Sequence, residues 1–214
     1  MITVHHLDHS RSLRILWLLE ELGLPYDLVL HRRDPATRLA PPSLETIHPL
    51  GKAPMIVDGE RTIFESGAII DYLIRRHGAG RLQPPPASAD YDDYQMWLHY
   101  AEGSAMLPLM LNLYTARLSE AAAPLRARID SELARHLGYV EQALAGRDYL
   151  VGDSLTGADI QFGFVAEMLA MTGQAHGYPR IAAWLARLQE RPAYQRAIEK
   201  GGVNTLSPTR RVAA

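Results

Sequence analysis

Residues 51–69, GKAPMIVDGERTIFESGAI, place two chemically pointed groups a short distance apart. Pro54 opens an apolar run that reads as a strand, where a sheet wants a backbone donor. If Ala53-Pro54 is cis, the N–H and C=O of Ala53 face outward and can pair with another extended peptide. The plainer alternative is that Pro54 is the first residue of an edge strand. Glu65-Ser66 then stands where a helical pattern begins. Ser66 suits an N-cap, and the free N–H groups of a first helical turn suit a carboxylate. Glu65 beside it can hold an ammonium. Both halves of the stretch fit one ligand, a peptide backbone along Pro54 whose α-amino-acid head lodges at Glu65-Ser66.

Other chemistry is narrower. The 214-residue chain has no cysteine, which removes disulfides, thiolate metal sites, a cysteine nucleophile and redox cysteine pairs. His5, His6 and His9 invite a metal reading, but adjacent strand residues point to opposite faces, so no metal site is expected. Thr156-Gly157-Ala158-Asp159 reads as a capping box with Asp in place of Glu, a folding element. Tyr100, Met106, Leu107, Leu111 and Tyr114 are either core or the wall of an apolar substrate site.

These groups need elements to position them. Residues 2–7 read as a strand, 10–22 as a helix stopped by Gly23 and Pro25, and 26–31 as a second strand. Residues 32–48 hold three prolines and read as loop. Residues 55–57 and 62–64 flank Asp58-Gly59 as a hairpin with a four-residue connection, and 66–76 follow as a helix. Gly78 to Ala87, with Pro84-Pro85-Pro86, reads as a linker. Beyond it lie only helices: one from Ser88 toward Leu118 bent at Pro108, then 125–144, 159–171, 181–189 and 193–199. The expected fold is therefore α/β followed by all-α. Its domains are 1–78 (βαβ-ββα), a linker at 79–87, and a helical domain at 88–214.

A net charge of −2 with mixed signs argues against nucleic acid. No apolar run reaches membrane-spanning length and no signal-peptide pattern opens the chain, so a cytoplasmic location is expected.

HPLGKAP followed by Glu65-Ser66, together with LDHSRSLRILWLLEELGLPY, resembles the cytosolic glutathione S-transferases. RRDPATRLAPPSLETIHPLGKAP is similar to a branch with fungal and bacterial members. The resemblance is dense over residues 1–75, and His48 departs from the Asn of many relatives. It implies a thioredoxin-like N-terminal half, glutathione as co-substrate, a small hydrophobic electrophile as acceptor, and a homodimer. It further implies backbone contacts from Ala53 beside Pro54, Lys52 at the glycyl carboxylate, and Glu65 and Ser66 at the γ-glutamyl end. Glu102 is either a further partner of that ammonium or a simple helix-face carboxylate.

The resemblance also implies a serine hydroxyl that donates to the glutathione thiolate. Ser10 has the Ser-type spacing to Arg14, and Ser12 is its rival; the alternative is that both only cap. Arg11 adds positive potential there, and Arg14 is a structural ion-pair partner. With no protein thiol, a mixed disulfide with glutathione is impossible. The same thiolate would serve an isomerase, dehalogenase or peroxidase, and a non-catalytic binding module keeps the same fold.

Overall fold

β1 (Ile2–Leu7) alternates its side chains across the sheet, so Ile2, Val4 and His6 face one side while Thr3, His5 and Leu7 face the other. Ile2 and Val4 are buried against α1 (Leu13–Leu22), a helix buried on nearly every face. A helix apolar all round belongs inside a protein, and α1 packs against α2 (Ser66–His77), α6 (Gly157–Met171) and α8 (Pro192–Gly201). Gly23 ends α1 in the left-handed region, φ 65°, where a residue without Cβ pays no steric penalty. The computed structural model describes residues 1–116 and 118–205.

β2 (Tyr26–His31) pairs parallel to β1, and β3 (Met55–Asp58) and β4 (Arg61–Phe64) add antiparallel strands, giving the order β2-β1-β3-β4. Asp58 pairs directly with Arg61, so the hairpin connection is Gly59-Glu60 rather than four residues. Gly59 takes φ 62°, which allows the tighter turn. The βαβ-ββα order expected for the first half is observed.

The second half is helical: α3 (Ala89–Tyr100), α4 (Met106–Thr115), α5 (Ala123–Ala143), α6, α7 (Pro179–Gln189) and α8. The long helix expected from Ser88 is interrupted one turn before Pro108, by a π-helical turn at Ala101–Ala105. Proline cannot donate to the carbonyl four residues back, and its ring crowds that carbonyl. An extra residue in the preceding turn relieves the conflict. The buried core runs without a break from Ile2 to Ala197 across both halves. Trp17 of α1 meets Tyr194 of α8 edge to face, their ring centroids 5.3 Å apart.

The capping box at the start of α6 is present. Thr156 Oγ1 accepts from the Ala158 N–H, and the Asp159 carboxylate accepts from the N–H groups of Thr156 and Leu150 at 2.9 and 2.8 Å. Burial pushes the Asp159 carboxyl up from its ordinary 3.8 to about 6. Asp159→Ala strands two buried N–H groups and is expected to cost about 2–4 kcal/mol, with glutathione affinity unchanged. Because the folded-state value lies above the unfolded one, Asp159's contribution is full below about pH 4 and shrinks as pH rises through about 6. The gap in melting temperature between wild type and variant should therefore be wider at pH 5 than at pH 8. A constant gap, or a glutathione affinity that falls with stability, would refute this assignment.

Candidate functional site

A cleft of about 240 Å³ opens where the sheet edge, the start of α2 and the π turn meet. Arg11, His48, Leu50, Lys52, Ala53, Pro54, Phe64, Glu65, Ser66 and Glu102 line it. Five of the eight residues singled out for chemistry thus share one wall system: Lys52, Ala53, Pro54, Glu65 and Ser66. Arg11 is a sixth, and Ser10 and Ser12 are not among the lining residues.

The Ala53-Pro54 bond is cis. Pairing of β3 with β1 begins only at Met55, opposite His5, so the backbone of Ala53 stays outside the ladder and borders the cleft. Lys52 is exposed at the cleft rim. His48 lies against Phe64 with ring centroids 4.2 Å apart, which gives this departure from the family pattern a packing role in the wall.

Glu65, not Ser66, is the N-cap of α2, and it holds φ 68°, ψ 117°. A non-glycine residue there is strained, and such strain gathers at ligand sites. Ser66 is the first helical residue. Its Oγ accepts from Arg14 Nη1 at 3.0 Å and from Gln161 Nε2 at 3.1 Å. With both acceptor positions filled, the Ser66 hydroxyl proton is left to donate into the cleft.

Glu102 sits on the π turn and meets two arginines of the N-terminal half. Arg11 Nε donates to both its oxygens, at 3.0 and 2.9 Å, and Arg14 Nη1 donates at 2.6 Å. Burial alone would raise the Glu102 carboxyl, but Arg14 and Arg11 outweigh it and hold the group below its ordinary value. It is therefore a carboxylate at neutral pH. Phe164 of α6 lies beneath both guanidiniums, 5.5 Å from Arg11 and 5.0 Å from Arg14. Arg14 is buried, whereas Arg11 bonds Glu102 through Nε and borders the cleft.

Ser10 and Ser12 turn inward. Ser10 Oγ lies 2.7 Å from the Leu7 carbonyl, to which it donates, and 2.7 Å from Ser12 Oγ, and it accepts from the Ser12 N–H at 3.2 Å. Ser12 Oγ accepts from the Leu7 N–H and meets His6 Nδ1 at 2.9 Å, while His6 Nε2 reaches the Gly201 carbonyl at 2.9 Å. Neither serine places its side chain as a helix cap; Ser12 is the N-cap residue of α1 but makes no capping bond. Together they tie the loop that carries Arg11 to β1 and, through His6, to the end of α8. His5 lies on the other face of the sheet against His31, Nδ1 to Nε2 3.1 Å, as strand alternation requires.

Three contributors were not singled out from sequence: Gln161, Phe164 and the pairing of Glu102 with Arg11 and Arg14. Gln161 had a signal, being the one polar side chain between Asp159 and Glu167 on α6. Phe164 had none.

Residues 1–75 match the family described as Glutathione S-transferase, N-terminal domain, and residues 104–192 match Glutathione S-transferase, C-terminal domain. Glutathione S-transferase 3 of Schizosaccharomyces pombe is 33% identical over 97% of this chain and 90% of its own. Glutathione S-transferase 1 of Saccharomyces cerevisiae is 31% identical over 94% and 95%. Among solved structures, a glutathione S-transferase from Actinobacillus pleuropneumoniae superposes with a TM-score of 0.84 at 34% identity, covering 94% of this chain and 93% of that one. A glutathione transferase family member from Pseudomonas fluorescens, solved with two glutathione bound, gives 0.78 at 26% identity over 92% of each chain. Matching both domain families and sharing about a third of its residues with such relatives over nearly its whole length, this chain belongs to the glutathione S-transferase family.

Proposed function

We propose that this glutathione transferase binds glutathione along the cleft and uses Arg11 to hold its sulfur as a thiolate. The peptide lies extended beside Ala53 and Pro54, with Lys52 at the glycyl carboxylate. The γ-glutamyl carboxylate takes the Ser66 hydroxyl and the free N–H groups of the first turn of α2, and its ammonium lies between Glu65 and Glu102. A free thiol titrates near about 8.5, so only a few per cent is ionised at pH 7. A hydrogen bond from a charged group, worth about 1.5–3 kcal/mol, lowers that value by about one to two units.

The observation that carries this reading is the geometry of the two hydroxyls. Ser10 and Ser12 are engaged with Leu7, His6 and each other, while Arg11 borders the cleft and bonds Glu102 through Nε. Ser10 and Ser12 therefore act by positioning the Arg11 loop. The thiolate attacks an electrophilic carbon of a small hydrophobic acceptor, the C–S bond forms, and the leaving group departs with its electron pair. The thiol proton goes to solvent.

Domains at 1–78 and 88–214, joined by 79–87, belong to the same reading. So does a homodimer, for which exposed Leu50 and Phe64 offer apolar surface. A cytoplasmic location belongs to the same reading; no helix among the described residues is long and apolar enough to cross a membrane. Titration calorimetry tests the core of the proposal: glutathione should bind at millimolar or lower concentration, and its N-acetylated form should bind at least tenfold more weakly. Equal binding of the two would remove Glu65 and Glu102 from the site. Absence of glutathione binding would refute the reading entirely.

A further inference from the structure

Arg14 is buried, yet only one arm of its guanidinium is engaged. Nη1 donates to Ser66 Oγ at 3.0 Å and to Glu102 at 2.6 Å. Among the described residues, Nε and Nη2 have no hydrogen-bond partner. A buried donor left unpaired is costly, so each calls for an acceptor. A cavity of about 10 Å³ borders Arg14, Glu167 and Tyr194 and is otherwise walled by apolar and aromatic side chains. That volume suits the centre of about one water, and the site offers it polar partners on two sides.

Glu167 of α6 is the carboxylate on that cavity, and it is held from elsewhere in the fold. Its Oε1 accepts from the Tyr194 hydroxyl and its Oε2 from Asn204 Nδ2, both at 2.7 Å. The Tyr194 hydroxyl in turn accepts from Gln189 Nε2 at 3.3 Å, which leaves its proton for Glu167. Each carboxylate oxygen keeps a second acceptor position. Burial pushes the Glu167 carboxyl up, while Tyr194, Asn204 and the Arg14 charge pull it down. Asn204 is fixed on both sides. The Gly201 carbonyl accepts from His6 Nε2 at 2.9 Å, and the Thr205 N–H donates to His9 Nδ1 at 3.2 Å. The segment after α8 thus ends beneath the residue that orients Ser66.

We propose that Glu167, held by Tyr194 and Asn204, is the second anchor of Arg14, joined to it by one buried water, and is a positioning residue for the Ser66 end of the glutathione cleft. The water accepts from Arg14 and donates to Glu167. With that edge pinned, the guanidinium cannot swing, and Nη1 keeps Ser66 turned with its proton toward the cleft. This rests on the reading above that Ser66 takes the γ-glutamyl carboxylate. Two ligands isolate that contact: glutathione, and its analogue with 4-aminobutanoyl in place of γ-glutamyl, which lacks only the α-carboxylate. By calorimetry the wild type should prefer glutathione by about tenfold or more. Glu167→Leu should shrink that preference by about threefold or more. Glu167→Gln keeps the shape and an acceptor for the water, and should retain most of it. A crystal structure of the wild type should show one water within hydrogen-bond distance of both Arg14 and Glu167, whatever the stability of the variants.

A Glu167→Leu protein that melts lower but keeps or widens the preference would overturn this inference alone, since Glu167 would then serve stability only. So would a crystal structure in which no water joins Arg14 to Glu167. A wild type that binds both ligands equally would overturn the placement of the γ-glutamyl carboxylate at Ser66, and this inference with it.

Discussion

Arg11→Ala is expected to lower kcat/KM at pH 7 by about 10- to 100-fold, with the protein still folded. The loss has a specific form. If Arg11 holds the sulfur as a thiolate, removing it returns the bound thiol toward its free value, about one to two units higher. The rising limb of the pH profile of kcat/KM should shift alkaline by that amount, and the ultraviolet thiolate band of bound glutathione should fade at pH 7. At pH 9 much of the lost rate should return, because the thiol then ionises without help. Arg11→Lys keeps the charge but loses the planar fork that reaches Glu102 and the sulfur together, and should fall between. Ser10→Ala provides the contrast. Its hydroxyl is committed to the Leu7 carbonyl and Ser12, so its removal should lower the melting temperature and leave the pH profile within about half a unit. If Ser10→Ala shifts the profile and Arg11→Ala does not, the serine is the donor and the proposed role of Arg11 is wrong.

That contrast marks where sequence reading ends. The stretch from Lys52 to Ser66 was legible because its signals are local: a proline at a strand mouth, a turn glycine, and a polar pair at a helix start. Each acts within a few residues, so backbone chemistry alone points to an exposed edge and a helix terminus. The family likeness supplied the ligand. The direction of Ser10 and Ser12 was not legible, because it depends on His6 and on the Gly201 carbonyl nearly two hundred residues away. The interruption of the long helix was half legible. Pro108 announced it, but the strain is relieved in the turn before the proline, which moves Glu102 onto the cleft. Nothing near Glu102 in the chain reveals that two arginines of α1 and its preceding loop meet it. That pairing exists only because α1 packs between the sheet and the helical half.

Glu102→Ala is expected to damage stability and ligand binding together, by separable amounts. Arg14 is buried, and among the described residues its Nε and Nη2 have no hydrogen-bond partner and Glu102 is the one carboxylate at salt-bridge distance from it. Breaking a buried pair by removing one partner costs about 3–5 kcal/mol. Ser66 and the Phe164 ring remain to Arg14, which favours the lower figure, a fall of about 6–12 °C in melting temperature. Glutathione should bind about 10- to 100-fold more weakly, the worth of one charged hydrogen bond to its ammonium. Glu102→Gln keeps an acceptor for Arg14 and should recover part of the stability but little of the affinity. The pH dependence separates charge from packing. Glu102 is held below its ordinary 4.5 by Arg14 and Arg11 against burial, so its contribution is complete above about pH 4.5 and is lost as pH falls through the lower folded-state value. The wild-type and Glu102→Gln melting curves should therefore lie well apart at pH 7 and converge toward pH 3. Parallel curves over that range would mean that Glu102 acts through shape alone. An alanine variant that melts within 2 °C of wild type would mean that Arg14 does not depend on it.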